Sequence, residues 1–153
     1  LLNPYTGILS IFSTRIRNGN GINIFEDGKE SRDFVFIDDV MAATTAAIDY
    51  ESNSSDVFNV GSGVATDVLT IATTLQNLLG VMVPTEISGQ YRVGDIRHNV
   101  ADLTRIKAVL GFNPRVSLEE GLRRFVSWVK GEQVHVCRYE DSLRELTAKG
   151  LFK

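Results

Sequence analysis

Apolar and polar positions along the chain alternate between stretches with helical spacing and short β-rich runs. Helical spacing predicts helices over residues 7–17, 40–49, 67–79, 103–110, 118–129 and 138–149. Alternating or β-rich runs predict strands over residues 22–25, 33–37, 57–60 and 83–87. Because strands and helices alternate through the middle of the chain, the pattern indicates a mixed α/β fold.

Capping and turn residues mark the ends of several of these elements. Asp38 is predicted to be the N-cap of the helix that follows it, with Asp39 in the first turn. Ser117 and Glu120 form a capping box at the start of another helix. Gly80 is expected to end the helix before it, because glycine readily adopts the left-handed conformation found there.

Composition and charge narrow the possible functions. The chain has 153 residues and is 43% hydrophobic, which suits one globular domain. Sixteen Lys and Arg against nineteen Asp and Glu leave a net charge of −3. We therefore expect no nucleic-acid partner, since phosphate neutralisation needs a basic face. No apolar run is long enough to span a membrane, so no membrane partner is expected either.

The cysteine and histidine content argues against a metal site. The single cysteine, Cys137, permits neither an intramolecular disulfide nor a Cys-rich metal site, and it is interpreted as a packing residue. The two histidines, His98 and His135, are far apart in sequence, and His98 is interpreted as a polar loop residue. No metal site is predicted, and a reducing, cytoplasmic compartment is the default expectation.

One glycine-containing segment, Gly61-Ser62-Gly63, follows a predicted strand and precedes a helix, as a phosphate-binding loop does. Thr66 stands where a dinucleotide fingerprint needs its third glycine, and no Gly-Lys-Ser/Thr occurs. A tight turn is therefore the favoured interpretation, and a phosphate loop is the alternative.

Two arginine segments carry better candidates for anion binding. Arg32 lies in Gly28–Phe34, a polar loop that feeds a hydrophobic strand, and Arg92 lies in Tyr91–Arg97. Guanidinium groups suit phosphate oxygens bidentately, and a neighbouring carboxylate such as Asp95 can accept ribose hydroxyls. The alternative is a surface ion pair, for example between Arg92 and Asp95.

Four motifs in order resemble the extended short-chain dehydrogenase/reductase family of nucleotide-sugar epimerases and dehydratases. They are RDFVFIDDV at Arg32–Val40, VFNVGSG at Val57–Gly63, RVGD at Arg92–Asp95 with Ala101-Asp102, and LGFNPRVSLEEGL at Leu110–Leu122. With the Asn3-Pro4-Tyr5 opening, the resemblance covers residues 3 to about 130. The fold implied is the C-terminal substrate-binding portion of a Rossmann-type member, without the main dinucleotide-binding sheet. Residues 33–63 are then expected to form the edge of the missing cofactor-binding domain.

The resemblance also implies roles for individual residues. Arg32 and Arg92 would grip the substrate diphosphate, and Asp95 would bind the nucleotide ribose. Asn23 and Phe25 would contact the base. Asn3 and Tyr5 match the loop that helps to form the sugar and base pocket. The segments NPYTG and YRVGDIRH look most like the branch acting on dTDP-6-deoxyhexoses, so a dTDP- or UDP-linked sugar is the implied substrate.

Two family motifs are absent from the chain. The family binds NAD through a Gly-x-x-Gly-x-x-Gly turn and transfers hydride with a Tyr-x-x-x-Lys pair, and neither occurs here. Since the chemistry needs the tyrosinate, the lysine and the nicotinamide together, we expect no catalytic residue and no bound NAD in this chain alone.

Three interpretations follow, and each leaves the isolated chain without catalysis. The chain is the substrate-recognition portion of a longer NAD-dependent enzyme, or a folded remnant without activity. The remaining interpretation is a stand-alone nucleotide-binding module or a subunit that pairs with a separate cofactor-binding chain. Its opening Leu1-Leu2, with no initiator Met, indicates either an artificially shortened protein or a piece of a longer reading frame. An apolar face left without the missing half would favour a homo-oligomer.

Overall fold

A computed structural model describes residues 7–51, 55–134 and 139–153. The elements in chain order are α1 (Ile8–Arg17), β1 (Ile22–Ile24), β2 (Ser31–Asp33), α2 (Ile37–Ile48), β3 (Ala65–Asp67), α3 (Val68–Leu79), β4 (Thr85–Ile87), β5 (His98–Asn99), α4 (Thr104–Leu110), α5 (Leu118–Gly131) and α6 (Tyr139–Ala148). The chain divides into two units. The first comprises Leu1–Glu30, Asp67–Arg97 and Arg123–Lys153, and the second comprises Ser31–Thr66 and His98–Leu122.

The first unit is built around the parallel pair β1–β4 and the packing of α1 on α3. Ile22 and Ile24 are buried while Asn23 between them is only partly so, because alternate side chains of a strand point to opposite faces. The buried apolar side chains of this unit are Phe12, Ile16, Ile22, Ile24, Ile71, Ala72, Leu75, Val126, Val129, Tyr139 and Phe152.

Helix α3 forms as its sequence predicts. The Asp67 carboxylate accepts a hydrogen bond from the Thr70 amide at 2.7 Å, which satisfies one of the free amides of the first turn. Gly80 ends the helix in the left-handed region, with φ of 73°. Ile71, Ala72 and Leu75 on one face are buried, so burial stabilises a helix that its own sequence already caps.

The second unit contains a small sheet in the order β3-β2-β5, in which β2 and β5 are parallel. Helices α2 and α4 contact each other in this unit. Ala43 of α2 packs with Leu103, Ile106 and Phe112 in its hydrophobic core, against which Phe58 also packs. The small Ala43 side chain lets α2 approach closely.

Asp33 joins the end of β2 to two other segments of the second unit. Its carboxylate accepts hydrogen bonds from the Ser62 amide and hydroxyl, both at 2.6 Å, and from the amides of Gly63 at 2.9 Å and Ala101 at 3.2 Å. The close approach requires glycine at position 61, since a Cβ there would lie 2.6 Å from the Ala101 Cβ and collide with the Asp33 carboxylate.

The predicted strand at 33–37 and the predicted cap at Asp38 are wrong. The strand is Ser31–Asp33, whose register with β5 pairs only Ser31 and Arg32. Past that point the chain turns, and α2 begins at Ile37 with Phe36 as its N-cap, two residues before the predicted cap. Asp39 does lie in the first turn as predicted, and its carboxylate accepts hydrogen bonds from the amides of Arg115 and Val116 at 2.9 and 3.0 Å.

The predicted strand at 57–60 is also wrong, because these residues pair with no strand in the described part of the chain. Phe58 and Val60 instead pack against the core between α2 and α4, while Val57 is exposed. Their alternating apolar pattern therefore reflects one buried side of an extended segment, which does not require a partner strand.

The remaining predicted elements are confirmed, with some of their ends shifted by one or two residues. The predicted strands at 22–25 and 83–87 are β1 and β4, and the other five predicted helices are α1, α3, α4, α5 and α6. The Glu120 amide donates to the Ser117 hydroxyl at 3.2 Å, in agreement with a cap at that position. None of the described helices has the length and apolar character needed to cross a membrane.

We predict that Asp33→Asn destabilises the chain by about 3 kcal/mol, because a carboxamide presents a donor to groups that donate to the carboxylate. Burial raises the pKa of Asp33, but the hydrogen bonds from Ser62, Gly63 and Ala101 outweigh it and hold the pKa below its usual value. The stabilisation should thus be present above the unfolded-state pKa and be lost as pH falls through the lower folded-state value.

Urea unfolding of the parent and of Asp33→Asn between pH 3 and pH 7 measures this loss. The matched control is Asp49→Asn, an exposed residue just after α2, which should change stability by less than about 0.5 kcal/mol. Equal stability of the two variants at neutral pH would contradict the role given to Asp33.

Candidate functional site

Strand β1 places Asn23 and Phe25 on the side opposite its buried isoleucines. The Asn23 Nδ2 lies 3.5 Å from the Gln90 Oε1, at the limit of a hydrogen bond. The Asn23 Oδ1 is buried and accepts no hydrogen bond from the described residues. An acceptor in that position suits a ligand that donates an N–H, because a buried acceptor left unbonded costs free energy.

Phe25 is flanked by a guanidinium group and a second aromatic ring. The Cζ of Arg92 lies 5.5 Å from the centre of the Phe25 ring, within the range of a cation–π contact. The ring centre of Phe152 lies 5.0 Å from that of Phe25, with the two planes inclined at 57°. The structure therefore brings three predicted site residues, Asn23, Phe25 and Arg92, together in the first unit.

The backbone position of Arg92 is fixed by hydrogen bonds of the residues on either side of it. Residues 91 and 93 hydrogen-bond to the C-terminal residues: the Tyr91 amide donates to the Lys153 carbonyl at 2.7 Å, and the Val93 amide donates to the Leu151 carbonyl at 2.9 Å. Asp95 follows in an exposed turn, where its amide donates to the Arg92 carbonyl at 3.2 Å.

Arg32 lies on β2 of the second unit, where its Nη1 donates to the Ser31 carbonyl at 2.9 Å. On the adjacent β5, the His98 Nδ1 lies 2.9 Å from the Ser31 Oγ, so His98 is a strand residue and its interpretation as a loop residue is wrong. Asn3 and Tyr5, together with His135 and Cys137, lie outside the described residues.

The Gly61–Gly63 segment forms a tight turn, as favoured from the sequence. The amides of Ser62 and Gly63 are already used by the Asp33 carboxylate. A phosphate group would have to displace the hydrogen-bonded Asp33 carboxylate, so the phosphate-loop alternative is rejected.

Sequence reasoning missed a charged cluster beside the site. Carboxylate oxygens of Glu26, Asp27 and Glu30 all lie within 4.8 Å of one another, a grouping that could hold a hard cation. Arg97 already supplies positive charge, with Nη1 2.5 Å from a Glu26 oxygen and Nη2 2.7 Å from an Asp27 oxygen. The hydrogen bond from Arg97 is the main cause of a lowered pKa for Asp27 and raises the pKa of Arg97 in return. We therefore assign the cluster to ion pairing.

Glu30 is the member of this cluster whose negative charge is least stabilised. It is only 7% exposed, and neither carboxylate oxygen accepts a hydrogen bond from the described residues. Burial, followed by the charges of Glu26 and Asp27, raises its pKa, although its own backbone amide and the positive charge of Arg97 act in the opposite direction. The local sequence gives no sign of this, since Glu30 stands in a polar segment that reads as an exposed loop.

Comparison with known proteins gives consistent matches. The NAD dependent epimerase/dehydratase family matches residues 3–61. The dTDP-L-rhamnose 4-epimerase of Burkholderia thailandensis is 39% identical over 132 residues, which are 86% of this chain and 36% of that enzyme.

Two solved structures are similar in fold and sequence. The UDP-glucose 4-epimerase of Thermotoga maritima with UDP-glucose has a TM-score of 0.72 at 35% identity, over 84% of this chain and 41% of that one. MoeE5 in complex with UDP-glucuronic acid and NAD has a TM-score of 0.75 at 30% identity, over 84% and 42%. The chain thus spans about two fifths of the length of these proteins, and it corresponds to their C-terminal portion.

We predict that Glu30→Gln stabilises the chain at neutral pH by about 1 kcal/mol, because it removes a buried charge that has no donor. With a folded-state pKa raised above the unfolded one, the parent binds the proton more tightly when folded. Its stability should fall as pH rises from the unfolded pKa through the folded pKa.

Urea unfolding at intervals between pH 4 and pH 8 measures this dependence of stability on pH. The matched control is Glu86→Gln, at an exposed position of β4. The parent and the control should lose stability over this window relative to Glu30→Gln. A Glu30→Gln variant less stable than the parent at pH 7 would show that the carboxylate is favourably paired.

Proposed function

The chain belongs to the NAD dependent epimerase/dehydratase family, and from that premise we propose that it is the nucleotide-sugar recognition portion of an NAD-dependent sugar epimerase or dehydratase. The observation that carries the proposal is the grouping of Asn23, Phe25 and Arg92 on one face of the first unit. An aromatic ring, a buried acceptor and a guanidinium group suit the base and the diphosphate of one ligand.

The base of the nucleotide is assigned to Asn23 and Phe25. Thymine and uracil each carry one imide N–H, which matches the buried Asn23 Oδ1 as an acceptor. The ring of Phe25 is partly exposed and offers an apolar face for stacking. Both bases have the N–H, so these two residues support a dTDP- or UDP-linked substrate equally. Asn3 and Tyr5 stay predicted contributors to the same pocket.

The diphosphate is assigned to Arg92 and Arg32, and the ribose to Asp95. A planar guanidinium can donate two parallel hydrogen bonds to phosphate oxygens, which a lysine cannot. Asp95 lies three residues after Arg92 in an exposed turn, where its carboxylate is open to accept a sugar hydroxyl. The substrates named for the two similar solved structures, UDP-glucose and UDP-glucuronic acid, both carry these groups.

The described residues do not fit NAD. The one glycine-rich turn that precedes a helix binds the Asp33 carboxylate in place of a phosphate. The sequence also lacks the Tyr-x-x-x-Lys pair. Substrate binding and orientation are therefore the steps we assign to this chain, and hydride transfer in a complete enzyme is assigned to residues beyond it. NAD is the cofactor of that complete enzyme.

We predict that the chain binds dTDP or UDP, and that Arg92→Ala and Arg32→Ala each weaken binding by about 1.5–3 kcal/mol, or roughly 10- to 150-fold in Kd. Isothermal titration calorimetry measures the effect. Arg144→Ala, on the exposed face of α6 in a surface pair with Asp141 at 3.2 Å, is the matched control and should bind like the parent.

Absence of nucleotide binding by the parent would contradict the proposal, and unchanged binding by both arginine variants would contradict the diphosphate assignment. The same samples supplied with NAD+ and a dTDP- or UDP-hexose should show no turnover above background. Turnover would refute the proposal that this chain recognises the substrate without catalysing the reaction.

We also propose that the isolated chain self-associates through α2. Ile37, Met41 and Ile48 lie on one face of this helix and are 61%, 62% and 77% exposed. Contiguous apolar side chains on a surface favour contact with another protein surface. The residues fall within 33–63, the segment expected to border a cofactor-binding domain, so the same face would be covered in a complete enzyme.

We predict that Met41→Lys shifts the isolated chain from oligomer to monomer, because a charge at the centre of an apolar interface must be desolvated. Light scattering over a range of concentrations measures the molar mass. Met82→Lys is the matched control, since Met82 is 71% exposed in the first unit, and it should leave the mass unchanged. A monomeric parent at high concentration would contradict self-association.

A further inference from the structure

The C-terminal segment, Leu151–Lys153, runs antiparallel beside Tyr91–Val93. Three backbone hydrogen bonds join the two segments: Tyr91 amide to Lys153 carbonyl at 2.7 Å, Lys153 amide to Tyr91 carbonyl at 3.0 Å, and Val93 amide to Leu151 carbonyl at 2.9 Å. Arg92 and Phe152 face each other across this pairing. The segment therefore fixes the backbone that carries the candidate diphosphate arginine.

Phe152 is directed into the first unit, while its neighbours are not. It is 7% exposed, whereas Leu151 and Lys153 are exposed, as alternation along an extended segment requires. Its ring rests against Phe25 at 5.0 Å between centres. Since Arg92 also lies against Phe25, Phe152 contacts the same site both through its side chain and through its backbone pairing.

Helix α6 anchors the segment at its other end. Tyr139 is buried, and the Arg15 Cζ of α1 lies 4.6 Å from the centre of its ring. The Arg15 Nη1 also lies 2.7 Å from a Glu140 oxygen, and its Nε donates to the Gly21 carbonyl just before β1. The same α1 residue thus holds α6 and the start of the strand that presents Asn23 and Phe25.

We propose that Phe152 is a positioning residue for nucleotide binding: its ring holds Phe25 in the orientation that meets the base, and the pairing of its segment holds Arg92. This inference rests on the proposed function. The physical gain is preorganisation, because a side chain already fixed in the free protein loses less conformational entropy when the ligand binds. Phe152 itself need not touch the nucleotide.

The test compares Phe152→Ala with Phe12→Ala in the 153-residue chain. Phe12 is a buried phenylalanine of α1 in the same unit, and α1 contributes none of the candidate site residues. Both variants remove an aromatic side chain from the core of that unit. Titration calorimetry with dTDP and, separately, inorganic pyrophosphate is done at a temperature where circular dichroism shows each variant folded.

Phe152→Ala should weaken dTDP binding by about tenfold, because the Phe25 side chain is then no longer held in the orientation that meets the base. Pyrophosphate, which has no base, should bind within about threefold of the parent, and Phe12→Ala should retain parental dTDP affinity. Phe152→Leu, which restores apolar volume, should recover most of the affinity. In a Phe25→Ala background, Phe152→Ala should add no further loss of dTDP affinity.

Equal dTDP affinity in Phe152→Ala and the parent, or an equal loss in Phe12→Ala, overturns the positioning role while leaving the proposed function intact. A parent that binds no dTDP overturns both. If Phe152→Ala does not fold, Phe152→Leu carries the test alone, with a loss of about twofold to threefold expected and no loss overturning the role.

Discussion

The second unit depends on one partly buried carboxylate. Asp33 ends β2, closes the Gly61–Gly63 turn and ties down Ala101, all through hydrogen bonds to the same two oxygens. Any anion needs donors when it leaves water, and here the backbone supplies most of them. Because Arg32 immediately precedes Asp33, the position of the arginine follows from this anchor. Asp33 is therefore a structural residue, while the role of Arg32 in ligand binding stays a prediction.

In the first unit, the carboxylates are less completely paired with hydrogen-bond donors and cations. Arg97 pairs with Glu26 and Asp27, yet Glu30 beside them is buried without a donor among the described residues. Glu26 and Asp27 reach solvent and are stabilised by the Arg97 cation. Glu30 does not reach solvent, and the negative charges of Glu26 and Asp27 disfavour its ionised form.

Local signals in the sequence predicted the helices well and the strands less well. Helix α3 carries its own cap, apolar face and glycine stop, so residues within one element decide its limits. Residues 57–60 have the composition of a strand, but strand formation requires a partner that lies elsewhere in the chain. The N-terminus of α2 was misplaced for a similar reason: Asp39 bonds to Arg115 and Val116, which are far away in sequence.

The candidate site likewise contains residues that the sequence indicated and one that it did not. Asn23, Phe25 and Arg92 were proposed through the family resemblance. The structure places them near one another, although their assigned contacts with a nucleotide stay predictions. Phe152 carries no motif, and nothing near it in sequence indicates that it lies on Phe25. Its importance arises from antiparallel pairing with a segment before α5 and α6, and such long-range pairing has no local pattern in the sequence.

That long-range pairing has a consequence for how the protein is made. The chain leaves and re-enters the first unit repeatedly, crossing after Glu30, Thr66, Arg97 and Leu122. Tyr91–Val93 must therefore emerge from the ribosome well before Leu151–Lys153, and their amides face water until the partner segment arrives. Contacts so distant in sequence form late and slowly. The ordered surroundings of Phe25 and Arg92 are thus completed only after this whole region has been synthesised.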